Sequence, residues 1–320
     1  MAAPNTQSQG ELLADYIAKH RRRFADNLSL AIDAGDVESI HDLRVASRRL
    51  TEPLKLLSRW TCRRKTRRIL KSMRKTRDAF RRVRDLDVVL ASIHEPQAAP
   101  PIGADDKAQL DEILSQARER AFIKARRVCQ RINADDADDR IDDLVSQFTG
   151  SLTDEANADI ETRVSNLVAS WTQRLLEKDP RDPLTTDLHD TRLCAKRLRY
   201  SVELYRDIGS RQDDPRTTAL ASMQEILGHW NDQLVVASRI TAVARRPDVL
   251  ATHAGWAAKL LEIATTRLRS AEEDRPRIIA VWQGCHSILH SADATTDADH
   301  GAPDPEFSEP TPQGLGRTFP

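Results

Sequence analysis

Apolar residues recur at helical spacing along most of the chain, and the pattern passes through nearly the same order twice. Glu11–Ala34 reads as a first amphipathic helix, closed by Gly35 and Asp36. Ile40–Trp60 reads as a second, capped by Asp36 or Ser39. Pro53 lies inside that second helix and predicts a kink or a lost backbone hydrogen bond. Thr61–Ile93 follows as a long arginine-dense helix, Pro96–Gly103 interrupts the pattern, and Asp105–Ile132 is a fourth helix. The tract Asn133–Asp143 (NADDADDRIDD) holds too little apolar material to pack. It reads as an acidic linker, to which Ile141–Phe148 adds at most a turn or two of helix. The order then returns as Ala156–Lys178, a turn at Asp179–Pro183, Leu184–Ile208, Pro215–Ala244, and Val249–Cys285, which Pro276 interrupts.

Two internal alignments explain the return. HDLRVASRRL at His41–Leu50 and HDTRLCAKRL at His189–Leu198 share His, Asp, Arg, Arg and Leu, with Arg48 matched by Lys196. VRDLDVV around Asp85 lines up with WNDQLVV around Asp232 at nearly the same offset. A period near half the chain, found twice, predicts an internal duplication. The expected fold is therefore all-α: two related antiparallel helical bundles of four helices each, joined by short loops. The expected division is a flexible N-terminus over residues 1–10, one domain over 11–291 and a disordered tail over 292–320. Within the domain, repeat 1 covers about residues 11–132, the acidic linker about 133–155 and repeat 2 about 156–291.

Composition narrows the class. Aromatics are 4% of residues and only 11 are glycine, too few for a sandwich or barrel. No run reaches the roughly 20 apolar residues that a membrane span needs. The start, MAAPNTQSQG, has no signal-peptide pattern, and the four cysteines are scattered without a CxxC pair, so reduced thiols in the cytoplasm are expected. The formal net charge of zero hides a segregation: His41–Leu90 carries 17 basic against 5 acidic residues, and Asn133–Asp190 carries 5 against 15. Such asymmetry lets one part of a neutral molecule bind a polyanion.

Wound as a helix at 100° per residue, Arg44, Arg48 and Lys55 fall within about 60° of His41. Leu43, Ala46, Leu50, Leu54 and Leu57 fall opposite. In the second copy His189, Arg192, Lys196 and Arg199 share a face away from Cys194, Leu198, Val202 and Tyr205. A stripe of this kind is ordinarily a solvated face. Against that, exposed faces mix signs, whereas the first stripe has only Glu52 nearby, and the same residue types stand at the same places in both copies. Opposed across a pseudo-two-fold axis, the stripes would line a shared basic groove. Asp42, Asp190, Asp85, Asp87 and Asp232 are candidates to orient its arginines.

These motifs, HDLRVASRRL, RDLDVVL, LHDTRLCAKRLRYSVELY and MQEILGHWNDQLVV, resemble those of the CHAD family, the conserved-histidine α-helical domains, and the likeness covers most of Glu11–Leu289. The resemblance implies an internally duplicated helical fold around a basic central cavity that binds inorganic polyphosphate, and an association with polyphosphate granules. Carried over by position, the implied ligands are His41, Arg44, Arg48 and Arg49, then His189, Arg192, Lys196, Arg197 and Arg199. Thr51 stands where the family usually has another basic residue, which predicts one weakened phosphate contact, offset by Lys55. The triphosphatase half fused to some relatives has no counterpart in this sequence. The expected function is thus non-catalytic binding of polyphosphate, other polyanions being secondary ligands, with no cofactor. Oligomeric state is not readable.

Three further signals have ordinary readings. Arg63–Arg84 is rich enough in arginine for a nucleic-acid arm, and a nucleic-acid-binding or scaffold protein using helix 61–93 is the alternative function. Its one aromatic, Phe80, argues against base stacking. His286 and His290, beside Cys285, have metal-like spacing but no second cluster, so no metal is expected. Asp135, Asp136, Asp138 and Asp139 lack the glycine and terminal glutamate of a calcium loop. No phosphate-cradling loop, nucleophile elbow or dinucleotide fingerprint is present, and no catalytic residue is expected.

Overall fold

A computed structural model describes residues 7–94, 103–132, 136–181, 187–209 and 214–294. Among the described residues it has helices and no strand. In chain order these are α1 (Gln9–Asp33), α2 (Val37–Arg49), α3 (Thr51–Leu57), α4 (Arg63–Ala79), α5 (Arg81–His94), α6 (Ala104–Arg131) and α7 (Ala137–Thr149). They are followed by α8 (Asp154–Leu176), α9 (Leu188–Gly209), α10 (Pro215–Ala244), α11 (Pro247–Thr252), α12 (Ala254–Glu273) and α13 (Arg275–Ala294). Most of the expected break at Pro96–Gly103, the start of the linker, part of the turn before α9 and nearly all of the tail lie outside the described residues.

Three expected helices are divided. The second breaks at Leu50, three residues before Pro53. In an unbroken helix the proline ring would meet the Arg49 carbonyl and supply no N–H to it. Ending α2 at Arg49 places Pro53 in the first turn of α3, where no donor is required. The long third helix breaks at Phe80, whose side chain is fully buried. The last divides into α11, α12 and α13, with Pro276 in the first turn of α13.

The acidic stretch is a correction of another kind. α7 buries Ala137, Ile141, Leu144 and Phe148, spaced as one helical stripe, and packs on α1 and α4. Its carboxylates are answered from α1, where Arg21 reaches Asp138 at 2.8 Å and Asp142 at 3.1 Å. Much of the segment read as a linker is therefore α7, a packed helix of the first half.

Packing follows one order in both halves. α1 lies on α2 and α7, and α5 on α6; α8 lies on α9 and α13, and α10 on α12. The hydrophobic cores do not respect the halves. The larger core takes in α1 to α7 together with α11, α12, the C-terminal halves of α9 and α10, and Ile160 and Val164 of α8. The smaller holds the C-terminal half of α8, the N-terminal halves of α9 and α10, and α13. Burial of this extent, with Tyr205 packed against both cores, fixes α2 and α9 in relation to each other.

Candidate polyanion site

α2 is positioned from its N-terminus. Gly35 turns the chain at φ 64°, and its carbonyl accepts Arg118 Nη2 at 2.6 Å. Asp36 then caps α2 by accepting from the Ser39 amide at 2.8 Å. The expected apolar face is all buried, from Leu43 and Ala46 to Leu50, Leu54 and Leu57. On α9 the corresponding residues Cys194, Leu198 and Val202 are buried as well, and Tyr205 is half-buried.

The basic residues on the other faces fall into two groups. Arg44 and Arg48 of α2 and Arg192 and Lys196 of α9 lie close enough for the charge of Arg48 to depress the ionisation of the other three. Lys196 is pushed down to about 7, first by burial, then by Arg192 and Arg48, with Asp232 opposing and Arg44 adding. Arg44 is pushed down to about 10 by burial and then by Arg48, and Arg192 is lowered by burial and then by Arg48. His41, at the exposed end of the row, is held below its usual value by partial burial and by Arg84, against the pull of Asp42. Arg48 is the common member, since its charge acts on His41, Arg44, Arg192 and Lys196 alike. Among the described residues neither Arg48 nor Lys196 has a carboxylate within ion-pair distance. Buried Arg192 Nε has no hydrogen-bond partner.

Arg49, Lys55, Arg197 and Arg199 are drawn elsewhere. Arg49 Nε meets Glu203 at 2.9 Å and Arg199 Nε meets the same carboxylate at 3.0 Å. Lys55 pairs with Glu52 at 3.3 Å. The Arg197 guanidinium lies over Trp171, 4.8 Å from the ring centroid. The arrangement is reciprocal. Arg49 meets Glu203 and lies over Tyr200, while Arg197, its counterpart, lines a small cleft with Glu52 and Lys55, which stand where Tyr200 and Glu203 do. His189 is exposed at the start of α9, and its backbone amide donates to Asp187 at 2.8 Å.

The sequence did not single out Arg77. Its Nη1 donates to Ser47 Oγ at 2.8 Å, to the Ser47 carbonyl at 3.2 Å and to Thr51 Oγ1 at 3.4 Å. Its own carbonyl, in the last turn of α4, accepts Arg44 Nη1 at 2.6 Å, a cation at the negative end of a helix. Burial and then Arg48 push Arg77 down to about 10. It is thus a further cation of the inner cluster. Arg84 joins it through its effect on His41. The signal for Arg77 was its phase with buried Met73 and Thr76, which turns it inward from an otherwise exposed helix.

Of the five acidic candidates, Asp85 and Asp232 act on the cluster, on Arg44 and on Arg192 and Lys196 respectively. Asp85 also binds Arg239 of α10 at 2.7 Å, tying the halves together. Asp87 is committed to Arg118 and Asp190 to Lys178. Asp42 is exposed beside His41. His286 lies between Trp282 and His290, with ring centroids 4.6 and 4.5 Å away and the rings tilted to one another. Among the described residues no helix is long and apolar enough to cross a membrane.

Comparisons with known proteins bear on the family and the fold. A model of the CHAD domain matches residues 15–241. No curated protein matches. Among solved structures, the CHAD domain from the plant Ricinus communis is similar, at 20% identity and a TM-score of 0.59, over 91% of this chain and 94% of that one. PptA from Streptomyces chartreusis is similar at 20% identity and a TM-score of 0.54, over 87% of this chain and 100% of that one.

Proposed function

The chain belongs to the CHAD domain family, and from that premise we propose that it binds inorganic polyphosphate without catalysis, in a basic groove between two duplicated halves. The observation that carries the reading is the group of Arg44, Arg48, Arg77, Arg192 and Lys196, held together from both halves with too few carboxylates to neutralise them. Clustered buried cations are unfavourable unless an anion joins them. A polyphosphate chain carries about one charge per phosphate and no bases, so it asks for guanidinium forks and ammonium groups on rigid elements. Arg48 and Lys196 are its central contacts. Arg44, Arg77 and Arg192 flank them, and His41 lies at the rim. Arg49 and Arg199 shape the groove through Glu203 rather than contacting the ligand. Association with polyphosphate granules follows as a consequence of such binding.

Calorimetric titration with polyphosphate of defined length tests the reading. The wild type is expected to bind with steep salt dependence, and Arg48→Ala to bind at least about tenfold more weakly with a flatter salt slope. Equal binding by the two proteins would remove the assignment. Release of orthophosphate on adding Mg²⁺ or Mn²⁺ would remove the non-catalytic part of it.

A further inference from the structure

Helix α4 presents a second basic surface, which faces away from the inner cluster. Thr66, Ile69, Met73 and Thr76 are buried, and Arg77 turns inward beside them. Arg64, Arg67, Arg68, Lys71, Arg74 and Lys75 are all exposed. At 100° per residue these six fall within an arc of about 120° opposite the buried stripe, and span about 17 Å of helix axis. Among the described residues none of the six is ion-paired, and the first acidic residue of the helix, Asp78, is taken by Arg81 at 2.6 Å.

An idle solvated face would not be built this way. Arg64 with Arg68, Arg67 with Lys71, and Lys71 with Lys75 are like-charged neighbours one turn apart, each unfavourable to the helix. Arg63, Arg64 and Lys65 fill the first turn, where the helix dipole disfavours cations, and Cys62 makes no side-chain cap bond there. Three local rules are broken in one direction. By contrast, α6 places Asp105 and Asp106 in its first turn and mixes acids with bases along its length.

We propose that the outer face of α4 is a second binding surface, for the phosphate backbone of double-stranded nucleic acid. A single convex helix about 10–12 Å across suits a duplex groove, whose phosphates flank it on both sides. The inner cluster, assembled from several helices, suits a flexible single chain instead. The α4 stripe contains no aromatic residue on which an unpaired base would stack, which favours a duplex over a single strand. The stripe consists of six cations spread along the helix, so its binding is dominated by charge and directed chiefly at the phosphate backbone. The surface does not depend on the inner groove holding polyphosphate.

The test is fluorescence anisotropy with a mixed-sequence 20-base-pair DNA duplex and the full chain. The wild type, a Arg67→Gln/Lys71→Gln/Lys75→Gln variant and Arg48→Ala are compared, each also titrated with polyphosphate. The α4 variant is expected to bind the duplex at least about tenfold more weakly, with a log–log salt slope smaller by about 2.7. Its polyphosphate affinity and circular dichroism should be unchanged and its Tm equal or higher, since repulsion has been removed. Arg48→Ala should keep duplex binding, and tripolyphosphate saturating the groove should not displace the duplex. The proposal is overturned if the wild type fails to bind the duplex at 50 mM salt, or if the α4 variant binds it normally. It is equally overturned if the α4 variant loses polyphosphate binding too while still folded, which would make α4 part of one polyphosphate track. Loss of duplex binding in Arg48→Ala would place the duplex in the inner groove instead.

Discussion

The two halves of the molecule carry the same motif and distribute its charge differently. Laying His41 on His189 and Asp85 on Asp232 puts Thr51 opposite Arg199, and Arg77 opposite Gln224. In the first half Arg77 reaches across to the Ser47 carbonyl at 3.2 Å and to Thr51. In the second, Gln224 reaches the matching Ala195 carbonyl at 3.3 Å, and accepts from Arg199 at 3.0 Å. The strut between helices is kept, while its cation has moved from the His-bearing helix to the neighbouring one. Position 55 differs in sign as well, being Lys55 in one half and Glu203 in the other. Glu203 neutralises Arg49 and Arg199 together, so the second half holds its extra cation in an ion-pair network. The first half holds its extra cation, Arg77, against hydroxyl and carbonyl oxygens. Arg77 of α4 thus stands beside Thr51, and on the proposed function it would supply the charge that Thr51 lacks.

The largest effect expected from breaking this comparison is structural. Arg49→Ala leaves half-satisfied Glu203 buried between the halves, and should cost about 2 kcal/mol in denaturant unfolding, Arg199 retaining part of the pairing. Polyphosphate affinity should change less than threefold. A large loss of affinity with normal stability would return Arg49 to the ligand contacts.

A smaller effect, in binding alone, should follow from Arg77→Gln, which gives the first half the second half's strut. Glutamine keeps the bond to the Ser47 carbonyl, so stability should hold while polyphosphate affinity falls about tenfold, or about 1.4 kcal/mol. Adding Thr51→Arg should recover part of the loss. No recovery would mean that the location of the cation matters as well as its presence.

The all-α fold and the buried face of the first His-bearing helix were legible because its apolar residues keep strict helical phase, and the structure buries Leu43, Leu50, Leu54 and Leu57 as that phase requires. The break at Leu50 was half legible through Pro53. The break at Phe80 was not, since no glycine or proline marks it. There the determinants are tertiary, namely burial of the Phe80 ring and the bond from Arg44 to the Arg77 carbonyl. α7 was hidden by its acids, whose partner Arg21 lies more than a hundred residues earlier. Splitting the basic residues into gathered and committed sets also needed the fold. Arg48 and Arg49 are adjacent in sequence, yet one enters the cation cluster and the other meets Glu203.

Lys196 gives the comparison its most specific expected effect. It stands where the first half has Arg48, and unlike an arginine it titrates within reach of neutral pH. Its folded value lies below the ordinary lysine value, so the unfolded chain binds more protons between pH 7 and the lysine range. Stability of the free protein should accordingly rise with pH across that window. A bound polyanion favours the ammonium form, so polyphosphate affinity should instead fall as pH rises above 7. The most direct measurement is an NMR titration of the Lys196 side chain, with and without saturating polyphosphate. The account predicts a value near 7 in the free protein, raised by about two units or more when polyphosphate binds. A value that polyphosphate leaves unmoved would contradict the claim that α2 and α9 grip the chain between them.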